Sequence, residues 1–320
     1  MQKSPWTTTG SGRTGAVAPG SPIRYAFEVD NSTGASISAS IRFEAYWGTQ
    51  NYKPVNIFEK VFQETIPPGW STVYSPAATV PRDALPGAYT EQADIADRND
   101  PADRAGRYGS FDVTGKKLLS IPYLAPPGMP TLGEADGASC VAMILGSRPG
   151  VKQPTARDIL EFITGSAQSR GVVNTAGPVA GKDLEYALAN YGISEAAISQ
   201  FTWDVPGLPQ TQVTKIAIAV KQGMPVIAFT DGKDLPTGPT GNHSYTGHWL
   251  VVVGFGFDRT NGTEVLVNDP DATSGRGGTK GQPIGIRAFE QALADDVSLP
   301  VAQQEPDHIA GIIVAPLLNG

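Results

Sequence analysis

The pattern of apolar residues changes near residue 117, and this change limits the possible folds more than any other feature of the sequence. Before it, apolar and polar residues alternate in short runs such as Ile23–Val29 and Ser36–Tyr46. Alternation with a period of two is typical of β-strands that bury one face. Turn-forming stretches at 67–69 and 85–87 help to space these runs at roughly the 8–12 residues typical of a β-sandwich. We therefore predict an all-β sandwich over this first part.

Beyond residue 117, helical segments alternate with strands. Thr155 and Asp158 form a capping box, which predicts the start of a helix. Apolar periodicity predicts three further helices, at Lys182–Tyr191, Gln212–Lys221 and Ile286–Leu293. Apolar runs predict four strands, at Pro225–Phe229, Trp249–Phe257, Glu264–Asn268 and Ile309–Val314. The expected organisation is a flexible segment over 1–20, an all-β domain over 21–117 and an α+β domain over 118–320.

Charge and hydropathy exclude two classes of partner. The 24 Lys and Arg residues are outnumbered by 31 Asp and Glu residues, and the net charge is -7. A chain of this charge has no broad positive field for phosphate backbones, so no nucleic-acid partner is expected. The longest apolar runs, such as Trp249–Val253, are far shorter than the roughly 20 residues of a membrane-spanning helix. No membrane span is therefore predicted.

Cys140 is the only cysteine in the chain. It excludes an internal disulfide framework and any thiolate-rich metal site. His243 precedes His248 by five residues, a spacing that matches no specific metal-ligand signature, and His308 is expected at the surface. We therefore predict neither a metal nor an organic cofactor.

Three residues form a candidate catalytic constellation: Cys140, His248 and Asp269. A thiol attacks a carbonyl only as its thiolate, so it needs a base within hydrogen-bond reach and a third group that orients the base. His248 opens the strongest predicted strand and Asp269 ends the next one, so a hairpin could make them neighbours. Glu134, Trp249 and Asn268 are expected to line the surrounding cleft.

Four motifs in order carry a resemblance to a known family: Ser120–Leu124, Asp136–Leu145, Gly247–Gly254 and Val267–Pro270. They resemble the papain-like cysteine peptidases of the double-glycine-leader peptidase type and their secreted relatives, and the likeness covers roughly residues 118–316. The resemblance implies a papain-like fold and a thiol hydrolase acting on peptide or isopeptide bonds of a peptide or protein substrate. It also implies a cysteine nucleophile on the central helix, a histidine base and an aspartate or asparagine that orients it.

The position of the nucleophile has two readings. In such peptidases it usually stands seven residues before the helix methionine, and counting back from Met143 reaches Asp136, with Cys140 one helical turn further on. Matching Ala138–Met143 to papain's Gly-Ser-Cys-Trp-Ala-Phe string instead places Cys140 at the nucleophile position. The oxyanion glutamine then falls on Glu134, and in the first reading it falls on Pro126, so both readings lose that donor.

Two functions therefore stay open. The first is a cysteine peptidase-like hydrolase that uses Cys140, His248 and Asp269, with acyl transfer through the same residues as a variant. The second is a catalytically inactive papain-like binding or structural module in which Asp136 occupies the family's nucleophile position.

The first part of the chain resembles the immunoglobulin-like modules of secreted bacterial proteins, through Pro86–Tyr89 followed by Gly109–Val113. Such modules position or anchor a neighbour, so a protein or surface partner and a secreted or cell-surface location are expected. Residues Met1–Trp6 lack the apolar core of a signal peptide, so none is expected in this sequence. Core or edge packing is expected for five aromatic residues of this part: Tyr46, Trp47, Tyr52, Trp70 and Tyr74.

Overall fold

The structure of the protein, a computed structural model, describes most of the chain. The described residues are 6–9, 15–47, 55–99, 104–124, 132–151, 153–169, 179–202, 209–232, 234–235, 247–270, 280–294 and 309–315. The chain forms two compact units, one of Met1–Lys116 with Phe257–Gly262 and the other of Lys117–Gly256 with Thr263–Gly320.

Short strands build the first unit, as its period-two pattern predicts. They are β1 (Trp6–Thr9), β2 (Ala16–Val17), β3 (Pro22–Ile23), β4 (Ala26–Asn31), β5 (Ile37–Trp47), β6 (Val55–Ile66), β7 (Gly69–Tyr74), β8 (Ala78–Thr79), β9 (Gly87–Asp97) and β10 (Arg104–Val113). One sheet has the order β1-β4-β7 and another the order β2-β10-β9-β5-β6, and β3 pairs with β8. The predicted all-β character of the described part of this unit is confirmed.

Aromatic rings fill the core of the first unit. Phe27 on β4 and Phe43 on β5 have ring centroids 5.2 Å apart, and Tyr25 lies 6.0 Å from Phe43. Because β4 and β5 belong to different sheets, these contacts join the two sheets through their inner faces. Tyr46 and Trp47 are buried as expected.

Two further aromatic residues of the sequence prediction, Trp70 and Tyr74, lie outside this core. Trp70 and Tyr74 are 57% and 51% exposed on β7, at one end of its sheet. Each lies an odd number of positions from the buried Val73, so both side chains point to the opposite, outer face of the sheet. Tyr52 lies outside the described residues.

The second unit combines one large sheet with helices. Its elements are β11 (Gly115–Leu118), α1 (Leu132–Gly146), α2 (Ala156–Ser169), α3 (Gly181–Asn190), a 3-10 turn (Glu195–Ala197), β12 (Ile198–Thr202), α4 (Pro209–Lys221), β13 (Val226–Asp231), β14 (Gly247–Asp258), β15 (Gly262–Asn268), β16 (Gln282–Gly285), α5 (Ile286–Ala294) and β17 (Ile309–Val314). The sheet has the order β12-β17-β13-β14-β15-β16, and β11 pairs with β14.

The predicted helices and strands of this unit are present, with ends that differ by a few residues. The capping box forms at the start of α2: the backbone N–H of Asp158 donates to Oγ1 of Thr155 at 3.1 Å, and the N–H of Thr155 donates back to Oδ2 of Asp158 at 2.8 Å. Three strands, β11, β12 and β16, were not predicted. β12 has five residues, and only Phe201 among them is buried, while β16 has four residues and contains Pro283.

Helix α1 is the central element of the second unit, and every residue from Asp136 to Leu145 is buried. A helix that is buried on all sides needs no amphipathic pattern, and α1 has none. Gly137 lets α1 approach β14 closely, because a Cβ atom there would lie 3.0 Å from Cδ2 of Leu184 and 3.2 Å from Cδ1 of Trp249. This close approach sets the position of Asp136 against the sheet. None of the helices in the described part of the chain is long and apolar enough to cross a membrane.

Candidate active site

Three elements bring Asp136, His248 and Asp269 together. Asp136 lies in the N-terminal half of α1, His248 is the second residue of β14, and Asp269 directly follows the last residue of β15. β14 and β15 are neighbours in the sheet, so the strand hairpin predicted from the sequence is present. Asp136 reaches this pair of strand ends because α1 packs against the sheet.

His248 is held between the two carboxylates. Its Nε2 lies 2.8 Å from Oδ1 of Asp269, and its Nδ1 lies 3.0 Å from Oδ2 of Asp136. The three residues are 6%, 1% and 3% exposed, in the order His248, Asp269, Asp136. A carboxylate only accepts hydrogen bonds and a neutral imidazole has a single N–H, so only the imidazolium can donate to both acids.

The environment of His248 stabilises its charged form. Burial by itself lowers the pKa of His248, but the charge of Asp269 and the hydrogen bonds to Asp136 and Asp269 outweigh burial and raise this pKa to about 10. His248 is therefore an imidazolium at neutral pH. An imidazolium cannot take a proton from a thiol, so this state does not act as a general base.

Asp136 also accepts hydrogen bonds from the backbone. Its Oδ1 accepts the N–H of Gly137 at 2.7 Å, and its Oδ2 accepts the N–H of Trp249 at 2.9 Å. Together with Nδ1 of His248, three donors surround this carboxylate. The arrangement ties α1 to the start of β14.

The candidate nucleophile Cys140 is part of helix α1. It lies one turn beyond Asp136 on α1 and is fully buried, and within the described part of the chain its thiol makes no hydrogen bond. Burial raises the pKa of this thiol well above its usual range, and the charges of Asp136 and Asp269 raise it further. The neutral thiol is thus favoured, and the group next to Nδ1 of His248 is a carboxylate instead of a thiol.

Trp249 and Asn268, both predicted to line a cleft, are fully buried instead. Trp249 packs on Phe229 with ring centroids 4.9 Å apart, and its Nε1 donates to the carbonyl of Val179 at 2.9 Å. The close approach of α1 encloses the indole in the core.

Asn268 connects three chain segments at the end of β15. Its Nδ2 donates to the carbonyl oxygens of Pro122 at 3.2 Å and Ile121 at 3.4 Å, and its Oδ1 accepts the N–H of Gly281 at 2.9 Å. These contacts hold the chain on both sides of Asp269. Asn268 thus has a structural role at the end of β15.

Four predicted residues cannot be placed. Pro126, His243 and His308 lie outside the described residues, as does the side chain of Glu134. No group of three or more His, Cys, Asp or Glu side chains in the described ranges is arranged to hold a metal ion.

Residues 137–293 match the model of the Peptidase_C39 like family. The second unit therefore carries a papain-like domain of the peptidase C39 type, and the match suggests a cysteine peptidase-type hydrolase. The matched segment contains Cys140, His248 and Asp269 and begins one residue after Asp136. A search of curated proteins found no match to the chain.

Proposed function

We propose that the C39-like domain is a catalytically inactive papain-like binding or structural module in which Asp136 occupies the family's nucleophile position. The observation that carries this proposal is the 3.0 Å contact between Oδ2 of Asp136 and Nδ1 of His248. In a thiol hydrolase, the sulfur must lie within hydrogen-bond reach of the base. In this chain a carboxylate lies there.

The chemistry of the buried groups also opposes catalysis. Cys140 is favoured as a neutral thiol, and His248 is favoured as an imidazolium that already carries the proton it would have to accept, so the reactive thiolate is not formed. Asp136 is a poor substitute nucleophile, because His248 and two backbone N–H groups already donate to it. These hydrogen bonds stabilise the negative charge of the carboxylate and make it a weaker nucleophile toward a carbonyl carbon.

The three charged residues have a structural role in this proposal. They join α1, β14 and β15 in the core of the domain, where each charge has a partner. Removing one partner from a buried ion pair typically costs about 3–5 kcal/mol, because the remaining charge stays buried. In this proposal, the histidine and the orienting acid of the papain-like fold stabilise the domain and do not catalyse a reaction.

The alternative is an active cysteine peptidase, which the family match favours. Cys140 would attack a peptide or isopeptide carbonyl, His248 would take and return the proton, and Asp269 would orient His248. This mechanism requires α1 to move by about one turn so that Cys140 replaces Asp136 beside Nδ1 of His248. The buried position of Cys140 opposes it.

Alkylation of Cys140 by iodoacetamide between about pH 5 and 9 distinguishes the two functions, because a catalytic thiolate has a depressed pKa. We expect Cys140 to stay unmodified in the native wild type and in native His248→Ala, and to react only when urea unfolds the protein. Rapid reaction at acidic pH in the native protein, lost in His248→Ala, would contradict the proposal and support the peptidase.

For the first unit, we propose an immunoglobulin-like sandwich that positions or anchors the C39-like domain outside the cell. The hydroxyl of Tyr89 donates to the carbonyl of Leu85 at 2.9 Å, four residues upstream. A tyrosine corner of this kind is a hallmark of immunoglobulin-like sandwiches, and it supports the proposal. Immunodetection in the medium, surface and interior fractions of the source cells tests the location.

A further inference from the structure

β12 forms one edge of the large sheet in the second unit. Among the described strands it pairs only with β17, in antiparallel register. The N–H of Ala315 donates to the carbonyl of Ala197 at 2.7 Å, so the backbone of Ala197 faces β17. Because backbone direction alternates along a strand, Ser199 also faces β17 while Ile198 and Gln200 face away.

Within the described ranges, the outward-facing backbone of Gln200 has no partner. Val314, opposite Ile198, donates its N–H to Pro225 at 3.1 Å on the far side of β17, which agrees with this alternation. The N–H of Ile198 donates a hydrogen bond to the carbonyl of Glu195. Gln200 itself is exposed, and its outward N–H and C=O bond to no residue in the described ranges. These groups can accept another strand.

A groove of about 550 Å³ runs beside this open edge. Its described lining comes from α3, from the 3-10 turn and from β12: Lys182, Glu185, Tyr186, Ala189, Glu195, Ile198, Ser199 and Gln200. Side chains at alternate positions of an added strand would point into this groove, since Ile198 and Gln200 project toward the same side of the sheet.

The groove has the chemistry to hold a long basic side chain. Tyr186 is 51% exposed, and its ring is positioned by stacking on Phe162 at 5.4 Å. Ala189 and Ile198 offer apolar contact for a hydrocarbon stem, as lysine and arginine require. Glu185 and Glu195 outnumber Lys182, and the tyrosine ring adds attraction for a cation.

We propose that the β12 edge binds an extended peptide, which adds as a strand beside Gln200 and places a lysine or arginine side chain in the groove. Strand addition of this kind gains affinity from backbone hydrogen bonds and specificity from the pockets for alternate side chains. The inference deepens the proposed function, and it rests on that function only for assigning a binding role to the domain.

A peptide fits this edge better than a second copy of the chain. β12 has only five residues, and a stable protein interface needs about 1,000 Å² or more of buried surface. Two copies of a chain with a net charge of -7 also repel each other, whereas a basic peptide is attracted.

Fluorescence anisotropy with two labelled heptapeptides tests the proposal on the full chain. Both peptides consist of valine and threonine, with lysine at two alternate positions in one and glutamate at the same positions in the other. Gln200→Pro removes the outward N–H, and proline is tolerated on an edge strand where the N–H faces away from the sheet. Gln200→Ala, which keeps the N–H, is the matched control, and thermal melts report the folding of each variant.

We expect the wild type to bind the lysine peptide about tenfold more tightly than the glutamate peptide, and Gln200→Pro to weaken the lysine peptide about tenfold. Gln200→Ala should change its affinity less than about twofold. Glu195→Lys should reverse the preference between the two peptides, because it reverses a charge of the groove.

Three results would overturn the inference: no saturable binding of the lysine peptide, equal binding by folded Gln200→Pro and the wild type, or an unchanged preference in Glu195→Lys. A dimer in sedimentation that Gln200→Pro dissociates would assign the edge to a second copy, which also overturns it. Cys140 alkylation is independent of β12. A reactive Cys140 with Gln200-dependent peptide binding would therefore reject only the inactive function, not this site.

Discussion

Oδ2 of Asp136 lies 3.0 Å from Nδ1 of His248, although the two residues are 112 positions apart in the sequence. The contact lies across the imidazole ring from Asp269, so the ring donates to an acid on each side. This relationship distinguishes the site from a thiol–imidazole pair, and it leads to three predictions. A fourth prediction concerns Asn268.

Asp136→Cys should create the thiol–imidazole pair that the chain lacks. The new side chain would replace the carboxylate beside Nδ1 of His248, and the imidazolium would lower the pKa of the introduced thiol. In a Cys140→Ala background, we expect alkylation at pH 6 to be about tenfold faster than that of an unactivated thiol. Mass spectrometry of the labelled protein measures the rate. Slow labelling that His248→Ala leaves unchanged would show that position 136 does not face the ring.

Asp136→Asn should destabilise the domain without changing its shape. The amide removes one of the two charges that neutralise the imidazolium, although Asp269 remains paired with it. We expect a loss of about 2–4 kcal/mol in the free energy of unfolding by urea. Glu161→Gln, at an exposed position of α2, is the matched control and should change stability by less than about 0.5 kcal/mol. Equal effects of the two substitutions would argue against a buried charge network.

Stability should fall as the pH rises above neutrality. Folding raises the pKa of His248 to about 10, from an unfolded value of about 6.5. The contribution of this histidine is therefore complete below about pH 6.5 and is lost as the pH approaches the folded pKa. Between pH 7 and 8.5, we expect the free energy of unfolding to decrease by about 1.4 kcal/mol per pH unit.

Urea unfolding across this pH range measures the slope, and His248→Gln should remove it. Any slope left in that variant belongs to the other titrating groups. Nitrogen-edited NMR of the wild type at pH 8 provides a direct check, since the His248 ring should carry a proton on both nitrogens. A ring with one N–H at pH 8 is the contrary outcome.

Asn268→Ala should loosen the end of β15. It removes the donor to Pro122 and Ile121 and the acceptor for Gly281, all in a buried site. Leaving these backbone groups without their partner should cost about 2–3 kcal/mol in the free energy of unfolding. The control Asn190→Ala, at an exposed position near the end of α3, should stay within about 0.5 kcal/mol of the wild type. Similar values for the two variants would mean that Asn268 does not hold these segments.

The sequence predicted most elements of the second unit because their signals are local. The Thr155–Asp158 capping box and the apolar run of β14 depend on residues within a few positions of each other. The proximity of His248 and Asp269 was also predictable, since they lie at adjacent ends of consecutive strands. β12 escaped prediction because most of its side chains are exposed, and an edge strand lacks the apolar run of a central one.

By itself, the sequence determined the helices and inner strands of the second part and the proximity of His248 and Asp269. Only the tertiary structure places Asp136 beside His248 and Cys140 in the core. The two residues are one turn apart on the same side of α1, so helical periodicity cannot distinguish them. Which of the two lies next to His248 depends on how far α1 extends along β14. That position is set by long-range contacts such as those of Gly137 with Leu184 and Trp249. Those contacts place the carboxylate against His248 and leave the thiol in the core.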